Sequence, residues 1–145
     1  MLIKSGSPVA NIARDAIPPD FSRAEVRLEG LKPPVDSFEL RFFAGLPKAN
    51  AETPTSENPH YLASQFFYGL GVADDQPPST ILYDVGRASQ SAPTQVRVNI
   101  TSGLRKYLQS NPGPDFLLTV VAVDRNGNEI ADPDLDLDGV SIESS

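Results

Sequence analysis

The sequence predicts an all-β domain, an antiparallel β-sandwich or jelly roll with one short helix. Short segments that alternate between apolar and polar residues recur along the 145-residue chain, as in half-buried strands. Between them stand 10 glycines and 14 prolines, in the small groups that β domains use at their turns. Only residues 102–109 show helical spacing. The length fits one domain, which we predict over residues 21–145.

Residues 1–20 are predicted to be an N-terminal arm or linker, because their short apolar islands have no regular period. Residues 24–29 form the first alternating strand, which ends at Gly30. Residues 37–43 form the second, with Phe38, Leu40 and Phe42 on one face.

A polar, proline-rich connection over residues 46–60 leads into an aromatic segment. Residues 64–68 are predicted to be a strand, in which the adjacent Phe66 and Phe67 must point to opposite faces. Aromatic residues in such a strand are core on one side and interface on the other. A short strand is also predicted at residues 81–85.

The C-terminal half contains the one predicted helix. Residues 95–100 alternate strictly, and Thr101 or Ser102 is expected to cap the helix that follows. Residues 116–123 are apolar on both faces, which predicts a central strand covered on both sides. Asn126-Gly127 predicts a hairpin turn, and residues 135–142 the last strand. The expected core positions in this half are Val96, Val98, Ile100, Leu118, Val120 and Ala122.

Composition argues against several classes of function. The net charge of −7 and the absence of any Lys/Arg run make nucleic acid a poor partner. No apolar run reaches the length of a signal peptide or membrane span, so we expect no membrane association and, by default, a cytoplasmic location. The chain has no Cys and one His, and it lacks phosphate-loop and nucleophile-elbow motifs, so we expect no enzymatic activity and no cofactor.

Two groups of side chains remain as candidate binding residues. His60, in the long loop, is a candidate contact residue, although general-base or metal chemistry would need partners that the sequence does not show. Asp134, Asp136 and Asp138 match the opening of a calcium loop, but the glutamate that should close such a loop is missing. The alternative is a strand with its carboxylates facing solvent, which discourages edge pairing.

Several short motifs follow one another in a distinctive order over residues 22–143. They are Arg-Leu-Glu-Gly at 27–30, Phe-x-Leu-x-Phe at 38–42, Asn-Pro-His-Tyr at 58–61, Ser-x-Phe-Phe-Tyr-Gly at 64–69, Val-x-Val-x-Ile-Thr at 96–101, the apolar strand at 117–123 and Leu-Asp-Gly-Val-Ser-Ile at 137–142. This order resembles the C-terminal β-sandwich domain of bacterial tyrosinases and polyphenol oxidases, which are type 3 copper proteins.

The resemblance implies a non-catalytic lid. In that family the domain packs on the copper-binding domain and pushes a loop side chain into the substrate entrance. The copper would belong to the partner domain, in cis or in trans, because one histidine cannot supply a coupled copper pair. The candidate contact or plug residues are Tyr61, Phe67, Tyr68 and Leu70, since this apolar cluster follows a long polar loop and reaches a glycine-rich turn.

Two other functions remain open from the sequence. The chain could be a free-standing β-sandwich module that binds carbohydrate or a protein surface, although it has no Trp, the usual platform for sugars. It could also be a small self-assembling structural subunit. A lid should present a contiguous apolar patch near residues 61–70, whereas a sugar-binding module should show a groove with aromatic and polar side chains.

Overall fold

The computed structural model describes residues 3–31, 37–67, 94–111, 113, 115–130 and 136–145, which form two antiparallel sheets and one α-helix. The elements are β1 (Ser7–Ala13), a 3-10 helix (Arg14–Ala16), β2 (Ala24–Leu31), β3 (Phe38–Ala44), β4 (Tyr61–Phe67), β5 (Thr94–Asn99), α1 (Thr101–Ser110), β6 (Asp115–Val123) and β7 (Gly139–Ser144). The larger sheet has the order β1-β6-β3-β4 and the smaller β5-β2-β7. The predicted all-β, sandwich-like fold with one short helix is confirmed, while its assignment as a jelly roll stays a prediction.

The core lies between the inner faces of the two sheets and is closed by α1. Phe38, Leu40 and Phe42 of β3 are buried on one face, as their alternation predicted. Five of the six core positions predicted in the C-terminal half are buried, namely Val98, Ile100, Leu118, Val120 and Ala122. Val96 is half-buried and packs against the same core.

Strand β6 is covered on both faces, as the sequence predicted. It pairs with β1 on one side and β3 on the other. Its inner face joins the main core, while Val121 and Val123 on the outer face are fully buried in a second apolar cluster with Phe43 and Ala49. The connection over residues 46–60, which contributes Ala49, therefore serves as the cover over the outer face of the larger sheet.

Part of the stretch expected to be an arm or linker is a strand of the larger sheet. Strand β1 pairs with β6 from Ser7 opposite Val120 to Ala13 opposite Asp115. Among the seven residues of β1 only Ile12 is buried, because this is an edge strand with little of its surface on the core. The alternation that would announce a strand is consequently absent from the sequence.

Helix α1 begins at Thr101 but has no side-chain cap from Thr101 or Ser102, contrary to the sequence prediction. The Asn99 Oδ1 atom instead accepts hydrogen bonds from the Thr101 backbone N–H (2.9 Å) and hydroxyl (2.7 Å). The Thr101 hydroxyl in turn accepts a bond from the Ala24 backbone N–H at 3.0 Å. The helix start is thus tied to β2, because the hydroxyl is used between elements and not within the helix.

The predicted Asn-Gly turn is confirmed. The Asp124 N–H donates to the Asn128 carbonyl at 2.8 Å, and Gly127 takes φ +86°, which favours glycine. The last strand begins later than predicted, at Gly139, although Leu137 before it is buried. The predicted strand at residues 81–85 lies outside the described residues.

Candidate functional site

The aromatic segment places its side chains by the register of β4 on β3. Phe67 stands opposite Phe38, and Phe66 opposite Glu39. The register shifts where Phe43 pairs with Tyr61, which leaves Leu62 as an extra residue in β4. The shift lets Leu62 and Phe67 both reach the main core despite their odd separation in sequence.

Phe67, a predicted contact residue, is a core residue. It is buried, and its ring meets that of Phe38 edge-on at 5.5 Å between centroids. Its neighbour Phe66 is 37% exposed and is the large hydrophobic residue that the described part of the chain leaves at the surface. The predicted opposition of the two phenylalanines is correct, but the outward residue is Phe66. The other two candidates, Tyr68 and Leu70, lie outside the described residues.

Tyr61 is half-buried at the start of β4. Its ring lies 5.7 Å from that of Phe43 and packs on the second apolar cluster. Its hydroxyl forms a 2.6 Å hydrogen bond with that of Ser64. Tyr61 is therefore held on the outer face of the sheet, beside the covering loop.

His60 is fixed by three contacts. Its backbone N–H donates to Asn58 Oδ1 at 3.0 Å, and its ring lies 5.6 Å from the Tyr107 ring. The ring Nδ1 is 2.8 Å from the Ala44 carbonyl, which can only accept, so the proton is on Nδ1. Burial raises the pKa of the Tyr107 phenol, whose ring lies beside this imidazole.

The covering loop is held by polar contacts with Arg41 of β3 and with Glu129, which lies beyond the hairpin turn. Arg41 donates from Nη1 to the Ala51 carbonyl at 3.2 Å and pairs through Nε with Glu39 at 3.3 Å. Glu129, beyond the hairpin turn, accepts from the Ala51 N–H at 3.1 Å and from the Ser5 hydroxyl at 2.9 Å. The loop thus covers the middle of the outer face, whereas Phe66 near the end of β4 stays exposed.

A polar cleft of about 610 Å³ lies between this loop and α1. Its lining is mostly hydroxyl, amide and charged side chains, with one aromatic ring: Thr55, Ser56, Glu57, Asn58, Tyr61, Ser102, Lys106, Gln109 and Ser110. Glu57 has φ +56°, a left-handed conformation that costs energy for a residue with a Cβ. A polar lining with one aromatic ring is what we expect of a carbohydrate-binding groove, and the carbohydrate-binding alternative stays a prediction.

The acidic run is only partly described. Asp136 is half-buried, and exposed Asp138 donates its backbone N–H to the Glu29 carbonyl at 2.7 Å. Asp134 lies outside the described residues. Within the described ranges, no three His, Cys, Asp or Glu side chains are grouped as metal ligands. The calcium alternative therefore stays a prediction.

A ladder of opposite charges covers the outer face of the smaller sheet. Arg97 of β5 contacts Glu25 of β2 at 3.2 Å and also pairs with Glu143 of β7. Hydrogen bonds from Arg23 and Arg97 lower the pKa of the Glu25 carboxyl, and those to Glu143 and Glu25 raise the pKa of Arg97. The ladder joins all three strands, and its charges are satisfied within the sheet.

Among the described elements, no helix is both long and apolar enough to cross a membrane.

Comparison with known proteins gives similarity of structure only. No family model matches the sequence, and no curated protein matches it. A recombinantly expressed latent aurone synthase, a polyphenol oxidase, matches with a TM-score of 0.55 and 10% identity over 99% of this chain and 26% of its own. The latent aurone synthase from natural source matches with a TM-score of 0.54 and 10% identity, over 99% of this chain and 25% of its own.

The chain thus spans about a quarter of the length of these polyphenol oxidases. The resemblance predicted from the order of motifs is confirmed at the level of the fold. The matched part is a small fraction of these polyphenol oxidases, and the one histidine of this chain is fewer than a coupled copper pair needs.

Proposed function

We propose that this chain is a non-catalytic domain that packs on a polyphenol oxidase-like copper domain and restricts access to its coppers. This proposal rests on one observation: nearly the whole chain matches about a quarter of the length of polyphenol oxidases that are described as latent. Latency fits a shield, since a cover over the substrate entrance excludes phenol without binding the metal.

The contact surface that we propose is the end of β4 on the outer face of the larger sheet. Exposed Phe66 supports this placement, because a large apolar side chain at the surface is typical of interaction sites. Tyr68 and Leu70 follow it directly in sequence and remain our candidates for the plug. Phe67, buried against Phe38, would anchor this end of the strand and not touch the partner.

Tyr61 and His60, at the opposite end of β4, would form a second and separate part of the contact. The His60 imidazole is fixed to the carbonyl of Ala44, and the Tyr61 ring packs on Phe43. Both side chains are held by the fold before any partner arrives, so they would lose little conformational entropy on docking.

The test is to add the purified chain to a separately produced polyphenol oxidase copper domain and follow oxidation of a diphenol. We expect saturable inhibition that is weakened at least tenfold by Tyr68→Ala or Leu70→Ala, and less by Phe66→Ala. Lys48→Ala, an exposed change in the covering loop, is the matched control and should inhibit like the native chain. Equal inhibition by all variants would move the contact elsewhere, and no inhibition would refute the shield.

The polar cleft beside Tyr61 supports a second candidate function, the binding of carbohydrate. Titration with neutral oligosaccharides, followed by shifts of the backbone amides of residues 55–61 and 102–110, tests it directly. Saturable binding that Glu57→Ala abolishes, in a chain that fails to inhibit the oxidase, would favour this function over the shield.

A further inference from the structure

We propose that a second cleft, between the 3-10 helix and α1, binds a small carboxylic acid with an apolar body. This cleft has a volume of about 800 Å³, within the usual range for small-molecule sites. It is lined by residues 14–21, by the second half of α1 and by Gly113, and it is separate in its lining from the contact surface proposed above.

The floor of the cleft is apolar. Ile17 and Phe21 line it and are only 6% exposed, and half-buried Leu108 of α1 completes it. Such a floor favours a hydrocarbon or aromatic group, because burying that group against it removes the group's apolar surface from water.

Two guanidinium groups stand at the same cleft and are held in place by the backbone. Arg14 donates from Nη1 to the carbonyls of Asn111 (3.2 Å) and Gly113 (3.1 Å). Arg105 donates from Nη2 to the Phe21 carbonyl at 3.1 Å, and its guanidinium carbon lies 5.1 Å from the centre of the Phe21 ring. Each group keeps further N–H donors that these bonds do not use.

The charges of these two arginines are not balanced by carboxylates in the described structure. The described arginines with an acidic partner within 4.0 Å are Arg23, Arg27, Arg41 and Arg97. Arg14 and Arg105 have none among the described residues, nor has Arg125 in the hairpin turn. Asp15 also lines the cleft but makes no ion pair with either. In a chain of net charge −7, the two arginines at this cleft form a local site for an anion.

The carboxylate follows from the geometry of these donors. A planar guanidinium presents parallel N–H groups that match the two oxygens of a carboxylate. Because both groups are already oriented by carbonyls, a ligand would not have to immobilise them on binding. The apolar floor then selects acids with a ring or alkyl chain over small inorganic anions.

The experiment titrates the isotope-labelled full chain with 3-phenylpropionate and follows backbone amide shifts. We expect saturable shifts confined to residues 14–17, 20–21, 105–109 and 113. The amide of the same acid, which has no negative charge, should bind at least tenfold more weakly, since hydrogen bonds from charged groups to a carboxylate are lost. Inorganic phosphate at equal concentration should not compete.

Arg105→Gln should weaken binding about tenfold or more, whereas the neighbouring Lys106→Gln removes the same charge from the other side of α1 and should leave it unchanged. If Arg105→Gln perturbs the fold, Arg105→Lys is used instead, since it keeps the charge but loses the planar fork. Equal binding of the acid and its amide, retained affinity in the Arg105 variant, or shifts outside the cleft would overturn the proposal.

A second titration, with N-acetylphenylalanine, distinguishes a free acid from the carboxyl end of a peptide as the ligand of the cleft. N-acetylphenylalanine carries the same ring and carboxylate next to an amide. If 3-phenylpropionate binds as tightly as N-acetylphenylalanine or more tightly, the result supports a small acid as the ligand. Clearly tighter binding of N-acetylphenylalanine would assign the cleft to a peptide terminus and would contradict the small-acid proposal.

Discussion

Replacing Gly103 by alanine should destabilise the fold, although alanine is the better helix former. A Cβ added at Gly103 would lie 2.3 Å from the carbonyl oxygen and 2.6 Å from the Cα of Leu62, both backbone atoms of β4. Ordinary van der Waals contact begins near 3.4 Å, so α1 would have to retreat from β4 by about 1 Å.

Moving α1 away from β4 lowers the free energy of unfolding by an amount that follows from the packing of the helix. Leu104 and Tyr107, the buried residues of α1, would lose part of their contacts with the core. Overpacked sites typically cost about 1–3 kcal/mol, and we take the upper part of that range, about 2–3 kcal/mol, because the clash is with backbone atoms. Helix propensity returns about 1 kcal/mol, because glycine is disfavoured in a helix by that amount. We expect a net loss of about 1–2 kcal/mol in the free energy of unfolding, or roughly 2–8 °C in Tm for a chain of this size.

The assay is urea unfolding of the native chain, Gly103→Ala and Ser102→Ala, followed by circular dichroism. Ser102 is exposed on the same helical turn and should accept alanine with a change of less than about 0.5 kcal/mol. A Gly103→Ala chain as stable as the native protein would refute the close approach of α1 to β4.

Three further outcomes are expected from the same measurement. Gly45→Ala should cost more than Gly127→Ala: both glycines have positive φ, but a Cβ at Gly45 meets the Tyr107 hydroxyl at 2.7 Å and one at Gly127 meets nothing within 4 Å. Equal losses would contradict the packing of Tyr107. Val120→Asp should prevent folding, because an unpaired buried carboxylate costs several kcal/mol against a total of roughly 5–15 kcal/mol; a native-like spectrum would refute the core assignment. Glu25→Gln should be less stable than the native chain at pH 7, and the difference should vanish on acidification. The pKa of Glu25 is lowered in the fold, so its contribution is present above the ordinary value of 4.5 and is lost as the pH falls through the folded value. A difference independent of pH would show that the charge ladder does not stabilise the sheet.

The elements that could be predicted from sequence are those that lie against the core on one face or on both. Strand β3 could be predicted because Phe38, Leu40 and Phe42 alternate with polar residues. Strand β6 is apolar on both faces apart from Asp115 and Thr119, because loop residues such as Ala49 cover its outer face. Strand β1 escaped prediction because one buried residue, Ile12, makes no period.

The candidate sites were harder to predict because they depend on register and on distant partners. Alternation places Phe66 and Phe67 on opposite faces, but which one is inside depends on the extra residue at Leu62. Arg14 and Arg105 meet at one cleft although about ninety residues separate them. Neither belongs to a motif, so their shared position is visible only in three dimensions.

The pairing of β1 with β6 bears on how the chain folds. Ser7 finds its partner at Val120, and Glu25 in the other sheet finds partners at Asn99 and Glu143. Loop closure over such separations must be completed before these contacts stabilise anything, so folding should be slow, in the range of milliseconds to seconds. During synthesis, β1 has no pairing partner until residues 115–120 have left the ribosome. Until then, β1 is an unpaired strand that other chains can pair with.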